Sequence, residues 1–126
     1  MRKTLTISGI ECNFKSSAAI PRMYRLKFGR DVFVDLQKLK KQVEISEKLK
    51  KETGEDSSSL PIDSLEIFEN IAFLMHKHGD PTQPSEIDEW LEQFETFSIY
   101  KVLPEILEMW GLENKQMSVS KKETEK

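Results

Sequence analysis

The groups in this chain that could do chemistry are few. They are one thiol at Cys12, two imidazoles at His76 and His78, and carboxylates at Glu86, Asp88, Glu89, Glu92 and Glu95. His76, His78 and Asp80 can be drawn as a metal site, but a His-x-His pair without a second cluster of ligands reads better as a helix end, where the dipole favours imidazolium. The five carboxylates distribute around one helical surface, and nothing in their spacing sets two of them across a cleft for general acid and base work. Cys12 falls on the apolar side of an alternating segment and reads as a small core residue. No Gly-x-Ser-x-Gly, phosphate-binding glycine loop or Cys-x-x-Cys is present, and the chain has five glycines in all. The sequence therefore predicts no catalytic residues, no cofactor and no metal, and a protein that is not an enzyme.

A second set of residues suits binding instead. Arg22, Arg25, Lys27 and Arg30 interleave with Tyr24, Phe28, Val32 and Phe33. A basic and aromatic mixture of this kind attracts acidic partners. Arg22, Tyr24, Arg25, Lys27, Phe28 and Arg30 are the candidate residues for partner binding or self-association. Trp90, Phe94, Phe97, Tyr100 and Trp110 form the other aromatic group, and serve either as core or as part of a surface offered to a partner helix.

The elements that must position these groups follow from periodicity. Leu5 and Ile7, then Ile10, Cys12 and Phe14, alternate with polar residues around Ser8-Gly9, which predicts a hairpin over 3–15 with Ile7 opposite Ile10 and Leu5 opposite Cys12. A lone two-stranded ribbon is marginal in water, so helices must cover its apolar face. Helices are expected at about 20–28, ending at Gly29, and at 31–52, capped by Asp31 with Val32, Phe33, Leu36, Leu39 and Val43 inside and a solvated lysine face. Three more are expected at 60–78, 85–96 and 98–110, with Pro104 either kinking the last or moving its start to about Leu103. The segment Gly54-Glu55-Asp56-Ser57-Ser58-Ser59 is the one linker-like stretch, and 114–126 reads as a disordered tail. The fold class is α+β, mainly α-helical: an N-terminal β-hairpin followed by about five helices packed as a single small domain over 1–113.

Charge divides the chain. Met1–Thr53 carries 13 Lys and Arg against 6 Asp and Glu, Gly54–Glu113 carries 2 against 14, the segment from Asn114 carries 4 against 2, and the whole sums to −3. Oppositely charged halves let copies attract one another head to tail, or present two faces to different partners. A pI near 5.5 argues against nucleic acid as the partner. No apolar run approaches the ~20 residues of a membrane span, the N-terminus alternates where a signal segment would be apolar, and a single Cys suits a reducing compartment. A cytoplasmic protein with no membrane partner is expected.

The run Phe14-Lys15-Ser16-Ser17-Ala18-Ala19-Ile20-Pro21-Arg22-Met23-Tyr24-Arg25-Leu26-Lys27-Phe28-Gly29-Arg30-Asp31, placed after a hairpin, resembles the opening of the tail assembly chaperones of long-tailed, siphovirus-type phages and prophages of Gram-positive bacteria. The shared pattern is a strand pair, a Pro-Arg-x-Tyr-Arg step, then Phe-Gly-basic-Asp into a helix. Glu89-Trp90-Leu91-Glu92-Gln93-Phe94 and Tyr100-Lys101-Val102-Leu103-Pro104-Glu105-Ile106-Leu107-Glu108-Met109-Trp110 are similar to the closing helices of that family, so the resemblance spans about 3–112. The lysine-rich stretch 38–53 matches least. The resemblance implies a noncatalytic chaperone that binds the tape-measure protein and keeps it soluble during virion assembly in the host cytoplasm, and that is absent from the mature virion. It also implies the tail-tube protein and a longer, frameshifted form of the chain as further partners, alongside self-association. Two other functions fit the residues: a structural virion component, such as a head-tail connector or tail completion protein, and a small DNA-associated regulator.

Overall fold

The computed structural model describes residues 1–53, 60–96 and 98–111. It is α+β and mainly helical. Strands β1 (Arg2–Ile7) and β2 (Ile10–Lys15) precede helices α1 (Ala19–Phe28), α2 (Val32–Thr53), α3 (Ile62–Gly79) and α4 (Ile87–Leu91), a 3₁₀ turn (Ile99–Val102), and α5 (Leu103–Met109). By contacts the chain divides into two compact units. One is Ala18–Leu74; the other joins Met1–Ser17 to the described residues from Met75 onward. The expected tail 114–126 and the linker-like segment 54–59 lie outside the described residues, as does Phe97.

The hairpin has the register that its alternation dictates, with Ile7 opposite Ile10, Leu5 opposite Cys12 and Lys3 opposite Phe14. Ser8 (φ 54°) and Gly9 (φ 79°) are both left-handed, the turn geometry whose twist matches paired strands. Ile7, Cys12 and Phe14 are buried, while Ile10, beside the turn, is 40% exposed. The C-terminal end of α3 lies on β2. A Cβ at Gly79 would stand 2.3 Å from the Asn13 carbonyl oxygen, so only a residue without a side chain fits there. At the N-terminal end of β1, the Lys3 ammonium donates to Glu105 Oε1 (2.9 Å) and Glu108 Oε1 (2.8 Å) of α5, and the two carboxylates raise its pKa. Glu105 and Glu108 are one helical step of three apart, so both reach the same side.

The closing segments differ from their expected lengths, for identifiable reasons. The helix expected over 85–96 is a short α4. After Leu91 the chain turns by i→i+3 bonds, Gln93 N–H to Trp90 O (3.3 Å) and Phe94 N–H to Leu91 O (3.1 Å). Two captures stop the helix. Gln93 Nε2 donates to the Trp90 carbonyl at 3.1 Å, and the Glu95 N–H donates to Ser8 Oγ at 2.9 Å, away from any helical partner. In the last segment a 3₁₀ turn precedes α5, whose start at Leu103 puts Pro104 in the first turn, where its missing N–H leaves no helical bond unmade.

Within the unit Ala18–Leu74, helix termini and one ion pair on a buried carboxylate fix the local structure. Gly29 caps α1 in the left-handed conformation (φ 68°), its N–H donating to Arg25 O at 2.8 Å. Asp31 Oδ1 then accepts from the N–H groups of Phe33 (2.8 Å) and Val34 (3.2 Å), capping α2 as its position predicts. Val32, Leu36 and Leu39 are buried, but Phe33, expected inside, is 56% exposed. The burial of α2 stops there: from Lys40 to Glu52 no side chain is buried. In α3, every residue from Ile71 to His76 is buried.

Candidate interaction surface

The six residues singled out by sequence occupy α1 and the turn behind it, and they divide in role. Pro21 sits in the first turn of α1, and Ile20 and Tyr24, one helical step of four apart, are its buried residues. Tyr24 is fully enclosed, so it is core. Its hydroxyl donates to Asp35 Oδ2 at 2.6 Å, and its ring lies 5.1 Å from that of the half-buried Phe28. Arg30 meets the same carboxylate with two bonds, Nε to Oδ2 at 2.6 Å and Nη2 to Oδ1 at 2.7 Å. Asp35 is the residue that sequence reading missed. It is 1% exposed, one turn into α2, and closes a triad with Tyr24 and Arg30. Burial alone would push its carboxyl up; the hydrogen bonds from Arg30 and Tyr24 outweigh that and hold it below the usual carboxylate range. Burial, then the neighbouring Asp35, push the Tyr24 phenol up, so its proton stays on the oxygen.

Arg22, Arg25 and Lys27 are exposed, with Leu26 between them 67% exposed. Lys27 Nζ stands 5.6 Å above the ring of Phe73, a cation–π contact inside the same unit. What α1 turns outward is therefore a basic face around one aliphatic side chain. Of the aromatic half of the sequence signal, Tyr24 is spent on the interior, Phe28 is half-buried and Phe33 is exposed.

A second surface lies on α2. Val34, Ile45 and Leu49 are 52%, 43% and 46% exposed, and Lys38, Lys41 and Lys48 are exposed alongside them. At 100° per residue, Val34, Lys38, Ile45 and Leu49 share an arc of about 60°, opposite the stripe that carries Val32 and Leu39. The periodicity that identifies the inner stripe leaves Ile45 and Leu49 unexplained, and that was the available signal.

The groups with chemical potential are each engaged separately. His76 is buried and its Nδ1 accepts from Trp90 Nε1–H at 2.8 Å, with the Phe14 ring 5.2 Å away. His78 Nε2 pairs with Ser17 Oγ at 2.9 Å. Asp80 accepts from the N–H and hydroxyl of Thr82 and from Gln83 Nε2, fixing the turn after α3. Among the described residues no three His, Cys, Asp or Glu converge as a metal site would require, and no helix is long and apolar enough to cross a membrane. Glu86, Asp88, Glu89, Glu92 and Glu95 are exposed. Trp90, inside the acidic segment, is buried, and Trp110 Nε1 points at Met75 Sδ, 3.3 Å away.

The burial of His76 makes stability depend on pH. Burial holds the His76 imidazole below its ordinary value of 6.5 against the attraction of Asp80, and burial with Lys15 and Arg2 does the same to His78. Below pH 6.5 the unfolded chain then binds more protons than the folded one, so stability is level above about pH 7 and falls as the solution is acidified. The apparent Tm should drop by about 3–6 °C between pH 7 and pH 5, and His76→Asn, which keeps an acceptor for Trp90, should flatten part of that slope. Thermal melts followed by circular dichroism at pH 8, 7, 6 and 5 check this; a level profile in both proteins would contradict it.

Comparison with protein-family models, with curated proteins and with solved structures finds no match to this chain.

Proposed function

We propose that this protein is a noncatalytic tail assembly chaperone of a long-tailed phage or prophage, which binds the tape-measure protein in the host cytoplasm and keeps it soluble until tail-tube subunits assemble around it. The observation that carries the reading is the step from Pro21 to Asp31 set behind a hairpin. Pro21 in the first turn of α1, Tyr24 and Arg30 on the Asp35 carboxylate, Gly29 as the left-handed stop and Asp31 as the cap of α2 are a coherent local structure, not a coincidence of composition. In support, the chain's outward features are basic and aliphatic surfaces on α1 and α2, of the sort that covers an apolar helix reversibly. A very long helical chain with bare apolar stripes aggregates, and many small adaptors laid along it would prevent that.

Coexpression with the longest helix-rich protein encoded just downstream in the same genome tests this. The expected result is that the long protein is soluble, and copurifies, only when this chain is present. If it is equally insoluble either way, and this chain is found in purified particles, the protein is a structural virion component and the chaperone reading fails.

A further inference from the structure

We propose that the outward face of α2 is a docking face for one amphipathic helix of a partner whose apolar seam is lined by Asp and Glu. The length of α2 and its burial do not match. Helix α2 has 22 residues, about 33 Å, yet its buried side chains end at Leu39. From Lys40 to Glu52 no side chain is buried, and the Lys40–Glu44 ion pair is modest support for a helical stretch that in isolation is marginal in water.

The pattern on that stretch specifies what it fits. Steps of four and three from Val34 give Lys38, Lys41, Ile45 and Lys48, with Leu49 beside the last, which is the spacing of a helix–helix seam. The apolar arc is about 60° wide, narrower than the face of at least ~100° with which a helix lies on a core or a lipid surface. Lysines standing within the seam demand carboxylates opposite them, and the aliphatic residues demand an apolar stripe. No surface of a second copy meets both demands along the whole seam. Another α2 brings like charge against Lys38, Lys41 and Lys48. The exposed acids from Glu86 to Glu95 bring the right charge with no large exposed apolar side chain among them, and the start of α3 sets the exposed Asp63 and Glu66 beside a single one, Ile62, too short a stripe for a seam that runs from Val34 to Leu49. A foreign helix with an acidic seam meets both demands. The proposal rests on the assembly-chaperone reading for the partner's identity alone; its chemistry comes from α2.

The probe is a labelled synthetic helix of about 25 residues, long enough to lie along α2, with leucines in its seam and glutamates beside them. Controls carry lysines in place of the glutamates, or serines in place of the leucines. Fluorescence anisotropy should show the glutamate peptide binding the full chain at least tenfold more tightly than either control. Ile45→Ser with Leu49→Ser should weaken it at least tenfold while the Tm falls only slightly, since both side chains are close to half exposed and outside the core. Lys41→Glu with Lys48→Glu should reverse the preference toward the lysine peptide, a gain that misfolding cannot imitate. Equal affinity for the three peptides, or binding untouched by either variant, overturns the proposal. So does concentration-dependent self-association that the serine variant abolishes, which would assign the face to a second copy. Tighter binding to vesicles of phosphatidylcholine and phosphatidylglycerol through the same residues would assign it to lipid. The two readings fail separately. If the serine variant solubilises the long downstream protein as well as the unaltered chain does, the docking face is wrong and the chaperone stands; if the peptide preferences hold but nothing is solubilised, the reverse is true.

Discussion

Gly79→Ala, the addition of one methyl group, is expected to cost the fold about 3 kcal/mol, the upper end of what overpacking usually costs. The new Cβ would meet the Asn13 carbonyl oxygen at 2.3 Å and the Asn13 and Phe14 carbonyl carbons at 2.9 and 3.2 Å. These are backbone atoms of a strand paired with its neighbour, so none can swing aside as the end of a long side chain would. Relief requires β2 to lift from the end of α3, which loosens Phe14 from His76 as well. Urea unfolding should show a lower midpoint with an unchanged slope. Gly29→Ala is the control. Its Cβ would meet nothing within 4 Å, and only the positive φ resists, at about 1 kcal/mol. Equal losses in the two variants would refute the steric account.

Arg30→Ala should destabilise by about 2–3 kcal/mol, although Arg30 looks in sequence like one more surface cation. Removing one partner of a buried pair costs about 3–5 kcal/mol because the other charge is stranded; the lower figure here allows for the 47% exposure of the Arg30 side chain. Without the guanidinium, Asp35, 1% exposed in the unaltered protein, keeps the Tyr24 hydroxyl as a side-chain donor. Its carboxyl must then rise from its lowered value. In the unaltered protein the contribution of Asp35 is present above the ordinary carboxylate range and is lost as the pH falls below it; in Arg30→Ala the loss moves to higher pH. Arg30→Lys should recover little, since an ammonium cannot make both bonds. Adding Asp35→Asn to Arg30→Ala should cost less than the two separate losses together, and a double-mutant cycle from urea melts measures that difference. Additive losses would mean that the two side chains are not coupled. Because Arg22 and Arg25 are exposed, their substitution separates any loss of partner binding from loss of stability.

The contrast between these residues explains which parts of the fold were legible in sequence. Alternation is a local property, so the register of Leu5 against Cys12 could be read directly, as could Gly29 as a stop, Asp31 as a cap and a last helix starting near Pro104. The short α4 could not. Beside the local capture of the Trp90 carbonyl by Gln93, its end involves Ser8, far away in the chain, taking the Glu95 N–H, and no window around 85–96 contains that second partner. Asp35 was hidden for a related reason. A carboxylate in a lysine-rich helix reads as solvated, and only the turn at Gly29 brings Arg30 and Tyr24 onto it. The candidate surface was half legible. Its cations are outside as expected, but Tyr24 serves the interior, and the aliphatic residues that are outside, Leu26, Val34, Ile45 and Leu49, fall between positions that helical periodicity assigns to the core.

The hairpin also carries its own reporter. Cys12 is the sole cysteine, it is 0% exposed, and burial pushes its thiol up to about 11. Reaction with a maleimide needs both access and the thiolate, and the folded chain withholds the two together at neutral pH. Modification must therefore wait for β2 to come away from its cover. The labelling rate, set against that of the denatured chain, counts those excursions directly and gives the opening free energy of this one region under native conditions. The same thiol thus serves as a clock for the hairpin, read without any mutation and before global unfolding begins.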